Sequence, residues 1–169
     1  LQQAFGLRHT NFDYPWFDNY RFNFSTNGIN YNSEKIQSFI KKNITHLSIG
    51  ITIDGTKRKH DLNRIWKTED MERGVVPNQS EEKGSYDDVV KNIPLWLEQF
   101  PGAGTKVTIS SADIPYIKES VLHLYSLGIH EVNINCVFED VWKEGDDELF
   151  ENQLMDLADA IIDSGYYQD

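Results

Sequence analysis

The chain has a single cysteine, Cys136, in 169 residues. That count excludes an internal disulfide and any all-cysteine metal or iron–sulfur site built within the chain. It also suits a reducing, cytoplasmic setting. Positive charge is scarce: 16 Lys+Arg stand against 27 Asp+Glu, for a formal charge of −11. A protein that grips a nucleic-acid backbone needs a basic patch, and this balance argues against that class. Long apolar runs are missing as well. The longest is about five residues, where a membrane-spanning helix needs about 20.

What is there suits a globular core. Apolar residues make up 39% of the chain and aromatics 12%, too apolar for a disordered chain. The length fits a single domain over residues 1–169, or part of a larger one.

Strand-like and helix-like stretches alternate. Tyr20–Ser25 alternates large apolar with polar residues and runs into the turn signal Asn27-Gly28. Ser33 then opens a helix carrying Ile36, Phe39 and Ile40, up to Asn43. His46–Ile53 reads as a second strand ended by Asp54-Gly55. Residues 56–84 form a long polar excursion, helical near Lys59–Trp66. Ser85 and Asp88 have capping-box spacing ahead of a helix marked by Val89, Val90, Ile93, Trp96 and Leu97. Lys106–Ile109 is a third strand, followed by a helix from Asp113 and Pro115 to Gly128. Glu131–Val137 is a fourth strand, and a last helix follows with Phe150, Leu154, Leu157, Ile161 and Ile162 on one stripe, ending at Ser164-Gly165.

Four β-then-α units of about 35 residues predict an α/β fold: parallel strands with helices packed outside them. HLSIGITI and EVNINCV alternate polar with apolar residues, where a strand buried on both faces would be apolar throughout. A polar face fits a barrel interior, and ligands in such folds sit at the C-terminal strand ends. Four units do not close a (β/α)8 barrel, so the expectation is a partial barrel.

Residues at those ends are the candidates. Asp54 and Glu139 could act as acid and base, or acid and nucleophile, in glycoside hydrolysis. Asp54, His60, Asp61, Glu139 and Asp140 have no recognised metal-ligand spacing. Cys136, inside an apolar strand, reads as a buried small hydrophobe. Arg64 lies ten residues after Asp54, where a guanidinium suits a bidentate grip on carboxylate or phosphate.

Thr26-Asn-Gly28, Leu47-Ser-Ile-Gly-Ile-Thr-Ile-Asp-Gly55, His60-Asp-Leu-Asn-Arg64, Lys83-Gly-Ser-Tyr-Asp87 and Asn133–Trp142 occur in that order. Together they resemble the middle of a radical SAM enzyme, in the SPASM-type branch of peptide and sulfatase maturases. The resemblance implies a cofactor pair, S-adenosylmethionine and a [4Fe–4S] cluster, and a peptide or protein substrate. It implies that Thr52 and Arg64 contact S-adenosylmethionine, Arg64 through the methionine carboxylate, and that Asn27 and Asn135 face the same cavity. Asp54 and Glu139 would line the substrate side of it.

The family's CxxxCxxC is missing, and so are its GGEP-like motif and its cysteine-rich C-terminal domain. The cluster therefore cannot be bound by this chain alone. With Leu1 rather than Met at the start, the expectation is an inactive central fragment of a longer enzyme. A cluster-free binding or scaffold domain is the alternative. A cut barrel leaves open strand edges, from which homodimerisation is expected.

Overall fold

The computed structural model describes residues 19–66 and 84–168. Among these residues four strands form two parallel pairs. Strand β1 (Phe22–Thr26) runs beside β2 (Leu47–Ile51), with Phe22 opposite Leu47 and Thr26 opposite Ile51. Strand β3 (Thr105–Ile109) runs beside β4 (Val132–Cys136), with Thr105 opposite Val132 and Ile109 opposite Cys136. The helices are α1 (Glu34–Asn43), α2 (Lys57–Asn63), α3 (Tyr86–Val90), α4 (Ile93–Gln99), α5 (Ile117–Ser126) and α6 (Asp146–Ser164). This is the α/β arrangement of an unclosed partial barrel, with four parallel strands and outer helices.

Burial explains the alternation in the sequence. On β2, Leu47, Ile49 and Ile51 are buried while Ser48 and Gly50 are not. On β3, Thr105, Val107 and Ile109 are buried while Lys106 and Thr108 are exposed. The apolar rows meet a core that includes Ile40, Ile53, Ile93, Trp96, Ile117 and Leu124. The opposite face is polar and more exposed, with Ser48 and Gly50 half-buried and Lys106 and Thr108 exposed, the pattern of a sheet packed mainly on one side.

Between β2 and β3 there is no main-chain ladder among the described residues. A side chain of β3 joins the two pairs instead, and one from α4 caps β2 beside it. The indole Nε1 of Trp96 donates to Ile49 O at 2.7 Å. The Thr105 hydroxyl donates to Ile51 O at 2.6 Å and accepts from Ile53 N at 3.1 Å. An unpaired buried carbonyl or amide costs free energy, and one hydroxyl here serves both. Thr105→Val keeps the shape and strands both groups. Urea unfolding should show a loss of about 2 kcal/mol; an unchanged midpoint would mean that the seam is closed in another way.

Several local expectations change. The stretch after Ser85 forms two helices rather than one, because Pro94 stands in the first turn of α4, where its missing N–H is tolerated. Ser85 makes no cap bond, since its hydroxyl is used by His60 and Arg64. The capping box lies at Ser110 and Asp113 instead, opening a 3₁₀ turn over Ser111–Tyr116. The helix expected at Lys59–Trp66 runs over Lys57–Asn63, capped by Thr56. Most of the excursion, residues 67–83, lies outside the described residues. Cys136 is exposed rather than buried: it ends a strand whose last two residues are uncovered. No described helix is long and apolar enough to cross a membrane.

Candidate functional site

Three candidates, Asn27, Thr52 and Asn135, fall on the polar strand faces. Register extends the β1–β2 pair by one step, with Thr52 N donating to Thr26 O at 2.8 Å. Alternation then places Asn27 and Thr52 on the polar face with Ser25 and Gly50. On the other pair, Asn135 stands opposite Thr108 on that same kind of face. Asn27 and Asn135 are exposed and Thr52 is half-buried. The turn after β1 is held from behind: the Asn92 side chain, 1% exposed, donates to Gly28 O at 2.8 Å and Ile29 O at 3.0 Å. Gly28 has φ +73°, and a Cβ there would lie 2.7 Å from Ile51 Cγ2. Only glycine fits that turn.

Asp54 and Arg64 form one unit. Arg64 Nε donates to Asp54 Oδ2, and Nη2 donates to Oδ1 at 3.3 Å. Thr108 N of β3 adds a bond to Oδ1 at 3.2 Å. The Asp54 side chain is 2% exposed and that of Arg64 is 30% exposed. Asp54 is thereby committed to a guanidinium and an amide, and does not offer a free carboxylate to a cavity. The hydrolase reading needs two carboxyls facing one substrate. Glu139 is exposed in the segment after β4, and Asp54 is buried with both oxygens engaged by the Arg64 guanidinium and the Thr108 amide.

A wire of hydrogen bonds fixes the backbone around this pair. Asp54 N donates to His60 Nδ1 at 3.2 Å, so the ring proton sits on Nε2, which donates to Ser85 Oγ at 3.0 Å. Ser85 Oγ in turn donates to Arg64 O at 3.0 Å. Burial pushes the His60 pKa down from 6.5 to about 4, against an opposing pull from the Asp54 charge. The folded value lies below the unfolded one, so the unfolded state takes up the proton first. Stability is full above pH 6.5 and declines as the pH falls toward 4. Between pH 6.5 and 5 the expected loss is about 2 kcal/mol. His60→Gln should remove that share of the slope in urea titrations; an unaltered slope would place the sensitivity elsewhere.

Lys59 closes the underside. It is 2% exposed and donates from Nζ to Thr108 O at 2.8 Å, with Asp113 Oδ1 at 3.4 Å. Thr108 thus has its amide on Asp54 and its carbonyl on Lys59. The roles of His60, Ser85 and Lys59 in this knot were not legible as such. The one signal was the His60-x3-Arg64 spacing, which puts both residues on one short helical turn.

Among the described residues no group of three His, Cys, Asp or Glu could hold a metal ion.

The strands and helices form a partial parallel α/β barrel. Solved structures of anSMEcpe share that fold. Native anSMEcpe with bound AdoMet matches at a TM-score of 0.60 and 14% sequence identity, covering 86% of this chain and 38% of that one. Native anSMEcpe with bound AdoMet and the Kp18Cys peptide gives the same figures. The native form with bound AdoMet and the Cp18Cys peptide matches at 0.59 and 14%, covering 86% and 39%. This chain therefore spans less than two-fifths of those chains. No protein-family profile and no curated protein matches it.

Proposed function

We propose that this chain, as one domain, is the central barrel part of a radical SAM enzyme of the SPASM-type maturase branch, acting on a peptide or protein in the cytoplasm. The reading rests on Arg64: a guanidinium steered by a buried carboxylate at the end of the β2–α2 unit, with 30% of its side chain exposed. Its Nε and one Nη2 hydrogen are committed to Asp54, which leaves N–H donors for the α-carboxylate of S-adenosylmethionine. Thr52 and Asn27 on the polar face of the β1–β2 pair, and Asn135 on that of the β3–β4 pair, would contact the rest of that ligand. The fold shared with structures holding AdoMet supports this.

The residues present do not fit the iron–sulfur cluster. Cys136 is the one cysteine of the sequence, and three thiolates are needed. No reaction step is assigned to this chain; its part is to hold and orient S-adenosylmethionine.

The test is calorimetric titration of S-adenosylmethionine into the wild-type chain and Arg64→Lys. Lysine keeps a charge for Asp54 but loses the planar fork. The expected result is measurable binding to wild type, weakened about tenfold or more in the variant. Equal affinities would remove Arg64 from the site, and no binding by either protein would remove the reading.

A further inference from the structure

The segment that follows β4 differs from every other strand end described. Phe138 is fully exposed, and Val141 and Trp142 are 41% and 38% exposed. The segment is held in shape: Trp142 Nε1 donates to Val137 O at 3.2 Å, Val141 N to Glu139 O at 2.8 Å, and Lys143 N to the Asp146 carboxylate at 2.7 Å. These apolar groups are therefore displayed by a fixed turn. Glu139, Asp140 and Glu144 stand among them, all exposed, and none makes an ion pair among the described residues. Basic side chains near the β2 end are matched: Lys57 pairs with Asp61 and Asp87, and Arg58 lies over the Tyr116 ring. The outer edge of β4 carries no partner strand among the described residues.

We infer that this turn and the β4 edge form a docking surface for an extended cationic peptide, one in which lysine or arginine alternates with aliphatic or aromatic residues. The alternation follows from the strand edge, which pairs main chain to main chain and presents every second side chain to one face. The unpaired carboxylates choose positive charge, and Phe138 and Trp142 supply apolar area. A second copy of this chain is a poorer occupant, since it brings a formal charge of −11 and the same acidic turn. The inference names the substrate class for the proposed peptide-modifying function and rests on that reading for its biological role.

Fluorescence anisotropy on the full chain tests it, with a fluorescein-labelled peptide alternating lysine with leucine and threonine, and its glutamate counterpart. Binding of the lysine peptide alone is expected. Glu139→Lys with Asp140→Lys should weaken it about tenfold, and Phe138→Ser about fivefold. Asp159→Lys with Asp163→Lys, an equal charge change on exposed positions of α6, should alter it less than twofold. Equal losses from both charge reversals would reveal a diffuse field and overturn the site. So would an absence of binding, or a Phe138→Ser effect on oligomeric state by light scattering in place of peptide affinity. Arg64→Lys should leave peptide binding unchanged, so that failure of S-adenosylmethionine binding and failure of this surface are read separately.

Discussion

Trp96→Ala is expected to remove about 4 kcal/mol of stability. Trp96 is fully buried, and it is the largest side chain in the core. Two separate contributions are lost. One is apolar volume, whose removal from a packed core leaves a cavity that is only partly refilled. The other is the donor to Ile49 O, on the edge of β2 where no described strand supplies one. Trp96→Phe separates the two: it keeps most of the volume and leaves the carbonyl unpaired, for an expected loss of about 2 kcal/mol. Urea midpoints with unchanged slopes would give both values. If Trp96→Phe were neutral, the free Ile49 carbonyl would cost nothing, and the indole would act by volume alone.

Arg64→Ala is expected to cost about 3 kcal/mol. Removing one partner of a buried pair leaves the other charge uncompensated, here Asp54 with a single amide donor. Part of the guanidinium reaches solvent, which holds the cost below that of a fully buried pair. Asp54→Ala with Arg64→Ala should be more stable than the sum of the single losses predicts, with a coupling of about 2 kcal/mol. Additive losses would show that the pair is geometric only.

Much of the fold was legible because its signals are local. Alternation in HLSIGITI and EVNINCV marks strands with one wet face, and Gly28, Gly128 and Gly165 take the positive φ that their turns require. Strand ends moved by one or two residues, as hydrogen-bond partners rather than side chains decide them. Pro94 was the readable sign of two helices after Ser85. The positions of the candidate residues were legible in part. Period-two counting puts Asn27 and Thr52 on the polar face of the β1–β2 pair and Asn135 on the polar face of the β3–β4 pair, and Arg64 reads as a carboxylate grip, here on Asp54. Its engagement with Asp54 was not legible, because that pair depends on the turn of α2 and on Thr108, 54 residues beyond Asp54. Ser85 shows the same limit. Its spacing with Asp88 is a cap signal, yet His60 and the Arg64 carbonyl compete for its hydroxyl once the chain folds back. Cys136 was misplaced because an apolar run reports burial only when something covers the strand.

The proposal to be tested is that S-adenosylmethionine binds at Arg64 and at the polar strand residues Asn27, Thr52 and Asn135. An amide and arginine-side-chain NMR titration of the full chain with S-adenosylmethionine tests it most directly. The account predicts shifts at Asn27, Thr52, Asn135 and the Arg64 Nη–H groups, with the backbone shifts needing about tenfold or more ligand in Arg64→Lys. Shifts confined to α5 and α6, or no shifts at all, would contradict it.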